Sequence, residues 1–292
     1  MKRSVRLTIG LALLVTACMA VAGTARTVPS SSAASSSHSP STRDLTEATA
    51  ALNRYLAHGH QTAELLNTHR PAVAGGPTIA SSYNWSGYAD TSSTDGVFTQ
   101  VAGSWVTPKV TCNAEDTITS EWVGLDGWTS TTVEQDGTLG WCFEGTAHYY
   151  TWYEMYPAGT ITVGATLKPG DAITASVGRA GTKYTLKVTD ATNTANSFTE
   201  IATCGTSTCL ATSAEWIAER PAFSIGIAPL AHYSNWRVNG AKETAGGVVG
   251  TISSYPTYDQ ITAIDATDSY PLDKTSALKT PAQFATSWLN SY

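Results

Sequence analysis

From about residue 78 onward the chain is cut into short runs of alternating character, separated by Gly, Pro, Asp and Asn. Ile161, Val163, Ala165 and Leu167 mark one such run. Ile173, Ala175 and Val177 mark another after the turn Pro169-Gly170-Asp171, and Tyr184, Leu186 and Val188 a third. A period of two sends successive side chains to opposite faces of a strand, and many short runs between turn residues predict an all-β antiparallel sandwich. Further strands are expected over 97–107, 119–124, 148–156, Ser213–Glu219, 223–227 and 232–238. No repeat period accompanies them, so residues 78–292 are read as one large domain.

The first 77 residues are a different object. They hold seven of the 17 Lys and Arg but three of the 23 acids, a balance of +4; the remaining ten bases and 20 acids give −10. Lys2, Arg3 and Arg6 precede an apolar run over 7–22, the pattern of a secretory signal peptide ending near residue 25. Val15-Thr16-Ala17-Cys18 also resembles a lipobox, which would make Cys18 a lipid anchor. A Ser/Pro/Thr/Ala linker follows, and then Leu45, Ala48, Leu52, Tyr55 and Leu56 recur at helical spacing, predicting an amphipathic helix over 44–57. A basic helical segment ahead of an acidic domain reads as a propeptide, 26–77, that docks on the domain and inhibits it. A net charge of −6 argues against nucleic acid as a partner, and a secreted monomer is expected.

Export also governs the cysteines. Beyond Cys18 there are four, an even count suited to an oxidising compartment. Cys204 and Cys209 flank a short loop and are expected to pair, leaving Cys112 for Cys142. Neither a CxxC pair nor HExxH occurs, so no metal or other cofactor is expected.

Three segments place large polar and aromatic side chains on one strand face. His148, Tyr150, Trp152, Glu154 and Tyr156 share a face by parity; so do Glu215 and Glu219, with Trp216 opposite; so do Trp122 and Asp126 around Gly124, whose backbone should lie accessible. Carboxylates framed by indoles and phenols suit a groove for a polymeric ligand. A G-x-S-x-G elbow is missing, and Asp90-Thr91-Ser92 is the sole D-T-G-like tripeptide. Glu154 with Glu219 or Glu215 can supply the two carboxylates of a glycosidase, and a carbohydrate-binding module would use the same aromatics.

The blocks Trp122-Val-Gly-Leu-Asp-Gly127, Val133-Glu-Gln-Asp-Gly137, Trp152-Tyr-Glu-Met-Tyr-Pro157 and Ala214-Glu-Trp-Ile-Ala-Glu219 resemble, in order, those of the eqolisins, the glutamic peptidases. Tyr83-Asn-Trp-Ser-Gly87 is similar to the first strand of that family's mature chain. The resemblance covers about 80–290. It implies two packed seven-stranded sheets and an acid-acting endopeptidase without a metal. It makes Gln135 and Glu219 the catalytic pair and Trp85, Trp122, Asp126, Trp152, Glu154 and Tyr156 the cleft. The chain departs from fungal members at Glu134 and Asp136, which flank the Gln, and at Arg220-Pro221, where those members carry an acid and an aromatic.

Overall fold

The computed structural model describes residues 42–56, 60–61, 65–70, 76–205, 209–265, 267 and 270–292. The expected signal peptide, Cys18 and most of the linker lie outside the described residues.

Residues 78–292 fold as the expected sandwich. The strands that matter here are β1 (Thr78–Ser82), β2 (Trp85–Thr91), β3 (Phe98–Val106), β4 (Thr117–Leu125), β5 (Val133–Phe143), β6 (Thr146–Tyr156) and β7 (Ala172–Ala180). They continue with β8 (Lys183–Asp190), β9 (Phe198–Thr203), β10 (Ser213–Glu219), β11 (Trp236–Ala245), β12 (Tyr258–Ala263), β13 (Asp273–Thr275) and β14 (Phe284–Trp288). One sheet runs β6-β5-β4-β10-β2-β12-β1, with Ile161–Thr162 added at one edge and Leu65–Arg70 at the other, nine strands in all. The second runs β9-β8-β7-β3-β11-β14-β13, with Val248–Gly250 paired to β11 as an eighth strand. Each implied seven-stranded sheet is thus present and extended at its margins. The β12–β1 pair is parallel where the expectation was antiparallel throughout.

Alternation does what the sequence predicts where one strand face is wet. Ile173, Ala175 and Val177 of β7, and Tyr184, Leu186 and Val188 of β8, point into the inter-sheet core, with more exposed residues between them. Strands β2, β4 and β10 are buried at every position and β5 at all but its last. Their inward face meets the second sheet. Their outward face is roofed by helix α1 (Thr42–Leu56), whose Ala48, Leu52 and Leu56 are buried among Trp85, Trp122, Leu139, Tyr150, Trp152 and Phe223. Burying the two leucines contributes about 1.5–3 kcal/mol each. Thr49 Oγ1 donates to the Tyr150 hydroxyl at 3.3 Å, and the Tyr55 ring meets Phe223 edge-on at 4.5 Å.

Both expected disulfides are present, Cys112–Cys142 and Cys204–Cys209. Three expected strands are broken. The run 223–227 is a tight hairpin, Ala222–Phe223 against Gly226–Ile227, because it turns at Ser224-Ile225, with Gly226 at φ +128° starting the return strand. The run 232–238 splits after Tyr233, where Ser234 exchanges hydrogen bonds with Lys109 and the chain restarts at Trp236. Only Ile161–Thr162 of the run 161–167 pairs regularly; beyond it the Gly164 amide bonds the Thr151 hydroxyl instead.

Candidate active site

Register brings the outward residues together. Gln135 on β5 lies between Gly124 of β4 and Glu154 of β6, while Glu219 on β10 lies between Ser120 of β4 and Trp85 of β2. Trp122 stands midway along β4 between Ser120 and Gly124, on the same face. Trp122 and Gln135 are each opposite a glycine of the neighbouring strand: Trp122 faces Gly137 and Gln135 faces Gly124. A Cβ at Gly137 would collide with the Glu121 carbonyl oxygen and come within 2.8 Å of the Trp122 Cα and Cβ. A Cβ at Gly124 would meet the Trp122 ring at 2.8 Å and the Gln135 Cβ at 3.2 Å. The space over Gly124, expected to expose backbone, is therefore taken by the indole. The glycine makes room for the site rather than for a ligand.

Two polar groupings result, buried beneath α1 and its surroundings except for the half-buried Thr160. In the first, the Gln135 amide donates from Nε2 to Glu154 Oε2 at 2.7 Å, and the Thr160 hydroxyl donates to Glu154 Oε1 at 2.8 Å. Glu154 thus settles which way the amide points, and this bond uses one of the two amide hydrogens. In the second, Glu219 accepts from Trp122 Nε1 at 2.8 Å and from Asn84 Nδ2 at 3.1 Å, one donor for each oxygen. The Asn84 amide is itself oriented by the Ser82 hydroxyl, which donates to its Oδ1 at 3.0 Å. Arg220 secures the same bend, its Nε donating to the Tyr83 carbonyl at 2.7 Å and its backbone N–H to that of Asn84 at 3.0 Å. The unusual residue after Glu219 therefore braces the loop that orients Glu219.

The remaining cleft residues divide. Trp85 meets Trp122 edge-on at 4.8 Å and stacks on Trp128 at 6.1 Å, and Trp152 lines the groove beside Glu154. Tyr156, opposite Val133, ends the strand partly exposed. Asp126 adopts φ +69° past the end of β4 and accepts from the backbone N–H groups of Ala211 and Thr212 at 2.6 and 3.0 Å. Its carboxylate anchors that segment. Glu215 lies in the row of Gln135, across Gly124, but burial pushes its carboxyl well above the usual range, opposed by Ser213.

Asn84 and Thr160 were not among the residues singled out from the sequence. Strict alternation would turn Asn84 away from its neighbour Trp85. The bend at 83–84 rotates it back toward Glu219. Among the described residues no cluster of three His, Cys, Asp or Glu is arranged to hold a metal ion.

The fold is a two-sheet sandwich whose large sheet gathers an oriented amide and a separately held carboxylate on one face. The Peptidase A4 family model matches residues 83–281, and the chain belongs to that family, the eqolisins; it is a peptide hydrolase. Scytalidoglutamic peptidase, solved with a peptide-based transition-state analogue, superposes with a TM-score of 0.60 at 21% identity, covering 71% of this chain and 98% of that one. SCP-B, an eqolisin in complex with the tripeptide Ala-Ile-His, gives 0.57 at 21% identity over 71% of this chain and 98% of its own. Aspergilloglutamic peptidase from Aspergillus niger gives 0.51 at 24% identity, over 59% and 99%. At such identities these structures speak for the fold alone. No curated protein sequence matches the chain.

Proposed function

We propose that the chain is a secreted, acid-acting endopeptidase in which Glu219 is the general base and Gln135 the oxyanion donor. The observation that carries this reading is the pairing of roles on one face: a carboxylate held at both oxygens by neutral N–H donors, and an amide turned by a neighbouring carboxylate. Glu219 takes a proton from water as the water oxygen bonds to the scissile carbonyl carbon. The carbonyl π electrons move to oxygen, where an N–H of Gln135 receives the developing charge. Collapse of that intermediate breaks the C–N bond, and Glu219 returns its proton to the leaving amine. A hole donor of this kind is worth about 3–4 kcal/mol in barrier. An amide keeps its hydrogens at low pH, where a histidine base would be protonated and lost.

The segment before residue 78 is the enzyme's own inhibitor in this reading. Its helix roofs the outward face and Gln61 pairs with Ala222, three residues past Glu219. The basic segment and the acidic domain attract each other near neutral pH. Acidification neutralises carboxylates of the acidic domain and so weakens the hold, and a cut between Arg70 and Ser82 releases the monomeric enzyme.

The test is cleavage of a denatured protein across pH 2–7 by the secreted chain, with pepstatin and a chelator present. Activity in acid, resistant to both, is expected. Cleavage of polysaccharide with none of protein would overturn the reading in favour of a sandwich glycosidase.

A further inference from the structure

Leu56, the last residue of α1, is 6% exposed, packs in one cluster with Leu139, Trp152 and Phe223, and with them and Ser120, Thr160 and Pro221 closes around a small void. The void left beside it is about 10 Å³, the size of one water, so the leucine fills its place. The pocket touches both halves of the site. Ser120 is the cross-strand neighbour of Glu219 and faces Leu139 on its other side. Thr160 donates to Glu154, the partner of Gln135, and Trp152 is two residues from Glu154 on the same face. Beside this pocket lies a ledge for backbone: His60 and Gln61 pair antiparallel with Phe223 and Ala222, four and five residues after the buried leucine. A side-chain socket next to a strand edge is how a peptide chain is commonly read, through main-chain hydrogen bonds and alternate pockets.

We propose that the Leu56 pocket is a specificity subsite of the peptidase, selecting a leucine- or methionine-sized apolar side chain in its substrates; this rests on the reading of Gln135 and Glu219 as the catalytic pair. The leader occupies the pocket in the precursor and a substrate side chain replaces it afterwards. The walls carry no charged side chain, so a Lys or Asp entering would lose its hydration without gaining a partner. An alanine would leave the Leu139, Trp152 and Phe223 surfaces uncovered.

The full chain, activated in acid, is offered a peptide series varied one position at a time among Leu, Met, Phe, Ala, Asp and Lys, with cleavage sites mapped by mass. At one position Leu and Met should exceed Ala, Asp and Lys by at least about tenfold in kcat/KM, as one or more methylenes in an apolar pocket can yield. Leu139→Arg should invert that order at the same position, raising Asp and depressing Leu, without a matching change elsewhere. A second series places the same side chains at residue 56 of the full chain. Their ranking in delaying the onset of activity after acidification should follow the ranking found in substrates, whether or not Leu139→Arg folds. An active enzyme indifferent to apolar side chains at every position, or rankings that do not correspond, would overturn the subsite. A chain that cuts no peptide would instead overturn the catalytic assignment beneath it.

Discussion

On β5 the outward Gln135 stands between two inward acids, Glu134 and Asp136, and most raised carboxyls of the large sheet lie on that inward side, outward Glu215 being the exception. Outward, Glu154 and Glu219 each receive donors at both oxygens. Inward, acids face the second sheet in a setting that favours the protonated form. Burial pushes Glu134 up to about 9, helped by Asp126 and opposed by Thr132, Tyr184 and Arg179. Burial raises Glu121 to about 8 against the Thr119 and Thr138 hydroxyls, and raises Asp136 despite the Lys187 and Ser176 backbone N–H groups. Asp90 is raised by burial and by Glu243, Glu215 and Asp259. The two faces are equally dry. The outward pair differs in its partners: N–H donors from Trp122, Asn84 and Gln135 reach it, whereas inward Glu121 has the Thr119 and Thr138 hydroxyls at its two oxygens.

The sharpest way to break this comparison is one amide substitution on each face. Glu219→Gln should fold and lose roughly a thousandfold in kcat/KM, since an amide cannot act as a base. Glu134→Gln replaces an already protonated acid by its isostere and should stay near wild type in acid. Circular dichroism must show both folded; comparable losses from the two would erase the distinction. Gln135→Ala comes next, with an expected fall of 10²–10³ in kcat, the range for removing one oxyanion donor. Asn84→Ala should cost about 10–100-fold, the worth of one hydrogen bond to a charged group, while Asn84→Asp should cost more by setting a second carboxylate against Glu219. An Asn84→Ala enzyme with unaltered kcat would show that Trp122 suffices to hold the base.

A collective effect, on stability rather than turnover, lies on the inward face. Carboxyls raised in the folded chain bind protons that the unfolded chain has released above about pH 4. The folded state then holds more protons, so stability falls as pH rises. The contribution is complete below about pH 4. It is lost as pH climbs through about 6 for Asp273, about 8 for Glu121 and about 9 for Glu134. Each such carboxyl adds a slope of about 1.4 kcal/mol per pH unit across its window. Thermal melts should show Tm declining from pH 4 to 8, and Glu121→Gln with Glu134→Gln should flatten the decline. A Tm that rises over this interval would refute the account.

The same contrast explains what the sequence could say. Strands β7 and β8 have one wet face and announce themselves by alternation. The strand that carries Gln135 is covered on both sides, and Val-Glu-Gln-Asp-Gly-Thr-Leu-Gly-Trp-Cys-Phe shows no such period. It entered the reading through its likeness to a family block. Parity correctly gathered Trp152, Glu154 and Tyr156, and Glu215 with Glu219, because regular strands obey it. It failed where the backbone departs from a strand: at the 83–84 bend, which swings Asn84 onto Glu219, and at Asp126, whose left-handed backbone turns it to the 211–212 amides. Helix α1 was legible from its spacing alone, since its single apolar stripe had to find a surface.

The crossed glycines beneath Trp122 and Gln135 also bear on how the chain reaches this register at all. A one-residue slip of β5 along β4 would turn Gln135 to the inward face. A two-residue slip keeps the face but sets Trp122 against Gln135 or Leu139, where only a hydrogen fits opposite the indole-bearing residue. Of the nearby alignments, then, only the native one leaves no collision to resolve. The notch that admits the indole therefore also selects the register of β5 on β4.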